Sequence, residues 1–132
     1  MSIALICISL LAFLCIALGF AVSLVRGKFD VLTSYSTDPE NTLHKIIRAH
    51  GNTIEYAPIL ALIMYILDQS PQPSWVLWFM VLVTLCRYII VAGLVIPKTM
   101  AKVNPMRFAG SLGTYIFGFG LCVSLIVQVL ST

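Results

Sequence analysis

From Ile3 to Val25 the chain carries no charged side chain. A helix needs about 20 consecutive apolar residues to cross the hydrocarbon core of a bilayer, so this run predicts a membrane span. It lacks the basic flank and the shorter apolar stretch of a secretory signal, so it reads as a first helix that is kept. The rest of the chain has the same character. Of 132 residues, 60% are hydrophobic and only 10% are charged, and the mean hydropathy is +1.02. A soluble domain of this size has too little interior to hide that much apolar surface. The formal net charge of +3 is small and its carriers are scattered, which argues against nucleic acid as a partner.

Local punctuation divides the chain into one domain of four helices, over about 3–26, 39–67, 74–96 and 105–130. Asp38-Pro39 and Asn104-Pro105 each pair a helix-capping side chain with a proline suited to the first helical position. Pro58 falls inside the second helix, where it removes one backbone bond. Trp75 and Trp78 at the start of the third suit a membrane–water interface. A loop of roughly a dozen residues rich in Ser, Thr and Asp follows the first helix, and the other connections are short. Short connections give an antiparallel up-down-up-down bundle. The expected fold is therefore all-α, a four-transmembrane-helix bundle.

In that topology every Lys and Arg of the chain (Arg26, Lys28, Lys45, Arg48, Arg87, Lys98, Lys102 and Arg107) belongs to one half of the membrane, and Asp68 marks the other. The positive-inside tendency puts the basic loops in the cytoplasm and both termini opposite. Cys7, Cys15, Cys86 and Cys122 all lie within apolar runs and read as small buried hydrophobes. With two histidines and no acidic cluster, no metal site is expected.

The charges below the surface need more explanation. Arg48, Asn52 and Glu55 occupy one face of the second helix at i, i+4 and i+7. Arg87 lies roughly 15 Å from the end of the third. Arg107, Ser111 and Thr114 form a stripe on the fourth. An ionisable residue at such depth costs several kcal/mol unless paired or wetted, so Glu55 and Arg87 are expected to face inward and neutralise each other, directly or through a ligand or water. The excess of guanidinium suits a small anion that also bears an ammonium group, with Glu55 accepting the ammonium and Arg48 and Arg107 clamping carboxylates or a thiolate. His50 lies on a neighbouring face, and His44 reads as a solvated side chain. Gly110, Gly113, Gly118 and Gly120 suggest close helix packing.

The stretch Arg48-Ala-His-Gly-Asn52-Thr-Ile-Glu55-Tyr56-Ala-Pro58 resembles the RAxxNxxEYxP signature of the MAPEG family, the membrane-associated proteins in eicosanoid and glutathione metabolism. Chain length, four spans, Arg26, Arg87 and Arg107 after Asn104-Pro105 extend the resemblance over essentially the whole chain. It implies a homotrimer with glutathione as co-substrate, bound between subunits on the cytoplasmic side. The implied glutathione contacts are Arg26, Arg48, His50, Asn52, Glu55, Tyr56 and Arg87, with Arg107 as the catalytic residue that stabilises the thiolate. Where eicosanoid-forming members carry tyrosine or histidine on the third helix, this chain has Ile90 and Leu94, and Phe108 replaces a serine of one branch. These departures argue against a leukotriene or prostaglandin synthase. The resemblance thus implies a bacterial-type transferase or peroxidase acting on lipophilic electrophiles or hydroperoxides, in an inner membrane if the source is bacterial. The alternative is a non-catalytic member that binds a lipid. A small multidrug exporter would need a carboxylate in the first helix, and a disulfide catalyst would need paired loop cysteines; the chain has neither.

Overall fold

The computed structural model describes residues 2–32 and 36–131. Thr33, Ser34 and Tyr35, in the loop expected after the first helix, lie outside the described residues. Four helices follow one another: α1 (Ile3–Phe29), α2 (Thr42–Leu67), α3 (Ser74–Val95) and α4 (Pro105–Leu130). At 1.5 Å per residue, the shortest of them is about 33 Å long, enough to cross the hydrocarbon core.

The helix ends show which local signals won. Asn104 caps α4, its Oδ1 accepting from the Arg107 N–H at 3.0 Å, and its Nδ2 donates to the Gly93 carbonyl of α3 at 2.7 Å. The second Asx-Pro pair behaves differently. Asp38 does not cap α2. Its carbonyl accepts from Asn41 N–H at 3.0 Å and its Oδ1 from Glu40 N–H at 3.0 Å, so Asp38-Pro39 builds a turn. Asn41 is the cap, with Oδ1 accepting from His44 N–H at 3.1 Å. The helix therefore starts three residues later than the 39–67 expectation. Aspartate followed by proline is also a favoured start for a β-turn, and the Pro39 carbonyl is held there by Met100 N–H at 2.9 Å. α1 runs past the expected end at 26 to Phe29, where Asp30 stops it in the left-handed region at φ 52°, a conformation aspartate tolerates better than most residues.

Hydrogen bonds across the ends fix the antiparallel arrangement. At the basic end the Met100–Pro39 bond joins the α3–α4 and α1–α2 connections. At the other end Ser2 Oγ donates to the Asp68 carboxylate at 2.8 Å, and Gln72 Nε2 donates to Gln128 Oε1 at 2.8 Å. α1 packs chiefly on α2, and α4 chiefly on α3. α2 and α3 also meet each other, and among the described residues α1 and α4 do not touch. The section is thus a rhombus with α1 and α4 at opposite corners.

Three helices, α1, α3 and α4, are long and apolar enough to cross a membrane. Of the four spans expected, α2 falls short of that apolarity: it is as long as α4, but the polar residues of its first half dilute it. This composition makes the protein an integral membrane protein. Its surface agrees, since Phe13, Ile16, Phe20, Trp78 and Phe119 are each more than 60% exposed.

The apolar core is split in two. One cluster, from Ala4 to Leu121 in chain order, fills the half near the termini. The other, built on Leu14, Leu18, Ala49, Ile90 and Leu94, fills the basic half. On α2 and α3 the polar layer of Asn52, Thr53, Thr84 and Arg87 falls between them. The threonines satisfy themselves: Thr53 and Thr84 each donate to the carbonyl one turn back at 2.8 Å, a bond helices tolerate.

Candidate functional site

α2 and α4 both start at the basic end, so their side chains lean the same way. Two stripes one turn apart face each other there: His44, Arg48 and Asn52 on α2, and Arg107 and Ser111 on α4. Together they line a cleft of about 280 Å³ whose remaining walls include Ile90, Leu94 and Met100. Two guanidinium groups stand in these walls and no carboxylate does. Such a cleft favours an anion, and Arg offers forked N–H donors suited to carboxylates.

Arg107 and Asn52 are held in place by neighbours in the fold, the α3–α4 loop and Arg87 respectively. Arg48 is exposed at the mouth. Arg107 is half-buried in the first turn of α4, and its Nη1 donates to the Met100 carbonyl at 2.8 Å, which ties it to the loop above. Asn52 is held from behind. Arg87 Nη2 donates to Asn52 Oδ1 at 2.6 Å and to its carbonyl at 2.9 Å. The Arg87 guanidinium also lies 4.8 Å from the Tyr56 ring centroid, within the range of a cation–π contact. Arg87 is 1% exposed, and its Nε is buried without a partner. It therefore positions Asn52 and Tyr56 and does not line the cleft itself.

Among the described residues, Arg87 does not pair directly with Glu55. Glu55 is exposed on the outer side of α2, and Arg87 uses an amide and an aromatic face where a carboxylate was expected. Although i, i+3 spacing keeps Glu55 near the line of Arg48 and Asn52, it lies at the exposed edge of that face and does not line the cleft. His50 also points elsewhere: its ring packs against Gly19 of α1, where an added Cβ would stand 3.3 Å from Nε2. Arg26 lies in the last turn of α1 and donates to the Leu32 carbonyl. The single chain thus brings together Arg48, Asn52 and Arg107, backs them with Arg87, and leaves Arg26, His50 and Glu55 outside the cleft.

Two residues of this region carry roles the sequence reading did not give them. His44, expected to be solvated, lines the cleft; the i, i+4, i+8 line from His44 through Arg48 to Asn52 was the available signal. Lys45, expected only to count among the cations of the basic half, is 8% exposed. Its Nζ donates to the carbonyls of Val95 at 3.3 Å and Pro97 at 2.9 Å. A cation at the carbonyl end of α3 is favoured by the helix dipole and fills orphan acceptors. That placement follows from tertiary packing, and no local pattern announces it.

Tyr56 belongs to a second cavity, directly beyond the first along the same α2–α4 seam. This groove holds about 220 Å³ and is lined by Ile59, Ile63, Gly118, Phe119 and their neighbours. At its near end the Tyr56 and Tyr115 hydroxyls lie 3.1 Å apart, their rings edge to face at 6.2 Å.

An integral membrane four-helix bundle with a cationic cleft between two parallel helices at one end is the class these observations define. The chain belongs to the MAPEG family, whose sequence signature matches residues 4–127. It is similar to the inner membrane protein YecN of Escherichia coli strain K12, with 27% identity over 74 residues, 56% of this chain and 52% of the relative. The YecN protein of Escherichia coli O6:H1 gives the same figures. The chain therefore spans about half the length of the curated relatives it matches. No solved structure matches it.

Proposed function

We propose that the protein is a bacterial-type membrane glutathione transferase or peroxidase, in which the α2–α4 cleft binds glutathione and Arg107 holds its thiolate. The observation that carries this reading is the convergence of Arg48, Asn52 and Arg107 on one cleft without a carboxylate in its walls, in a family associated with glutathione. Arg48 at the mouth clamps a carboxylate of the tripeptide. Asn52, fixed by Arg87, offers its amide to the peptide. Glu55, exposed on α2 outside its own chain's cleft, accepts the ammonium across the subunit boundary of the proposed trimer. A free thiol titrates near about 8.5 and is mostly protonated at neutral pH; a fixed guanidinium lowers that value and raises the thiolate fraction. The thiolate then attacks a lipophilic electrophile or the outer oxygen of a hydroperoxide.

The reading includes a homotrimer. Arg26 and His50 lie on the α1 side of the chain, away from its own cleft, so a neighbouring subunit is where they would serve. It also places the cleft toward the cytoplasm, because all the basic residues lie at that end. A fusion partner that works only in the cytoplasm should be silent at the C-terminus, and activity there would reverse this orientation. A purely lipid-presenting role is not favoured, since it gives the two cleft arginines nothing to bind.

The direct test uses wild-type protein purified in detergent, with glutathione and a generic aromatic halide or an organic hydroperoxide. Conjugate or alcohol should accumulate above the uncatalysed rate. Background rates with both substrate types would reject the enzymatic reading.

A further inference from the structure

Arg107 is held at its root and at its tip by different sets of contacts. At the root, Asn104 Oδ1 accepts from the Arg107 N–H at 3.0 Å, and Asn104 Nδ2 donates to the Gly93 carbonyl at 2.7 Å. Gly93 lies so close that an added Cβ would stand 2.7 Å from Arg107 N. These contacts join α3 to α4 and fix the Arg107 backbone. They do not choose where the guanidinium goes, because a long arginine side chain has many rotamers to lose.

The tip is held by the α3–α4 connection. Arg107 Nη1 donates to the Met100 carbonyl at 2.8 Å and to the Lys102 carbonyl at 3.4 Å. A guanidinium carries donors on all three nitrogens. With Nη1 turned to the loop, Nε and Nη2 are left for a ligand. The position of the loop therefore sets the aim of the guanidinium.

The loop in turn is anchored from two other elements. The Pro39 carbonyl, in the α1–α2 connection, accepts from Met100 N–H at 2.9 Å. Lys45 of α2 donates to the carbonyls of Val95 at 3.3 Å and Pro97 at 2.9 Å, where α3 gives way to the loop. Lys98 and Lys102 in the loop are exposed, as a lysine near an interface ordinarily is, since its long stem lets the ammonium reach water. Lys45 is 8% exposed and keeps its ammonium on the loop instead. A buried ammonium is costly unless its donors are met, so this placement is a specific one.

We infer that Lys45 is a positioning residue for Arg107: it clasps the start of the α3–α4 connection and so puts the Met100 carbonyl where it turns the guanidinium into the cleft. The inference rests on the proposed role of Arg107 in holding the glutathione thiolate. Lys45 precedes Arg48 by three residues, so one turn of α2 governs two contacts with the ligand. Arg48 meets a carboxylate directly, and Lys45 aims Arg107 at the sulfur. Lys45 does not itself line the cleft. Its loss should therefore fall on the thiolate and spare the peptide.

Two measurements on the full chain in detergent test this. The first needs no glutathione: thermal unfolding of Lys45→Met, Arg107→Met and the double variant. Lys45 and Arg107 share no hydrogen bond, so independent sites would give additive losses of Tm, whereas sites linked through the loop lose less together than the sum of the single losses. Non-additive losses are expected, and additive ones overturn the inference. The second follows the ultraviolet absorbance of the bound thiolate against pH and compares glutathione with S-methylglutathione, which has no thiol. Lys45→Met should raise the pKa of the bound thiol by at least about 1, a tenfold change in its acidity, and leave the affinity for S-methylglutathione unchanged. Lys102→Met removes a cation from the loop but keeps the backbone carbonyl, and should leave the bound thiol as it is in wild type. An unchanged thiol in Lys45→Met, an equal shift in Lys102→Met, or a matching loss of S-methylglutathione binding overturns the inference. Where Lys45→Met does not fold, Lys45→Gln, which lacks the charge and is shorter, is read in the same way. If wild type binds no glutathione, the cleft reading fails, and the unfolding data alone decide whether Lys45 holds Arg107.

Discussion

Arg87 is the residue on which the buried polar layer turns. Burying a guanidinium in a membrane bundle is costly unless its donors are met, and here an amide oxygen and a carbonyl accept from Nη2 while the Tyr56 ring lies against the guanidinium. The asymmetry of buried pairs then predicts unequal costs for its two halves. Asn52→Leu leaves the charge with one acceptor fewer and should cost about 3 kcal/mol or more. Arg87→Met removes the charge, keeps the bulk and strands only a neutral amide, a loss of about 1–3 kcal/mol. Thermal unfolding in detergent should therefore rank Asn52→Leu below Arg87→Met; the reverse order would mean that Arg87 does not depend on Asn52. The sequence made Arg87 conspicuous by depth alone. It could not reveal the partner, because Glu55 and Asn52 are three residues apart on one helix and only the neighbouring helices decide which of them faces inward.

At the scale of helices, α3 and α4 are held together by close backbone approach. A methyl at Gly110 would overlap Ile90 N at 2.7 Å, and backbone does not yield as a side-chain tip does. Gly110→Ala should cost about 1–3 kcal/mol by overpacking, whereas Gly118→Ala should be neutral or slightly stabilising, because alanine favours helix where space allows. Denaturation of the two variants side by side checks this, and equal stability would remove the distinction between packing glycines and the groove glycine. The sequence showed four glycines in α4 as one group; only the Cβ environment divides them. Helix ends were legible where one signal stood alone, as at Asn104-Pro105. At α2 two caps competed within three residues. Asn41 won because the Asp38 carbonyl and side chain were already committed to a turn, and because the Pro39 carbonyl accepts from the distant Met100.

For the whole molecule, the membrane solvent explains most of the design. Three helices show lipid-scale apolarity, and α2 is the polar exception. It packs between α1 and α3, and its His44, Arg48 and Asn52 line the cleft beside α4, while Glu55 stays on the exposed side. The membrane class and the polar face of α2 followed from apolar runs, the Arg48-to-Pro58 motif and the one-sided charge. The split of the family residues into a cleft set and an outward set did not, because it depends on helix rotation, which a single chain's periodicity leaves open. The large exposed apolar area on α1 and α4 suits lipid or sister subunits equally, and it is on this surface that the proposed trimer would form.

The central claim is that one cationic cleft, made by Arg48, Asn52 and Arg107, is where a charged tripeptide sits. Calorimetric titration of glutathione into detergent-purified wild type and into an Arg48→Ala, Arg107→Ala double variant of unchanged oligomer size measures this directly. The account predicts saturable binding by wild type and a loss of at least ~100-fold in affinity in the variant, about 1.5–3 kcal/mol for each charge-assisted contact removed. Equal affinity in both proteins, or no heat from wild type at millimolar glutathione, would contradict it.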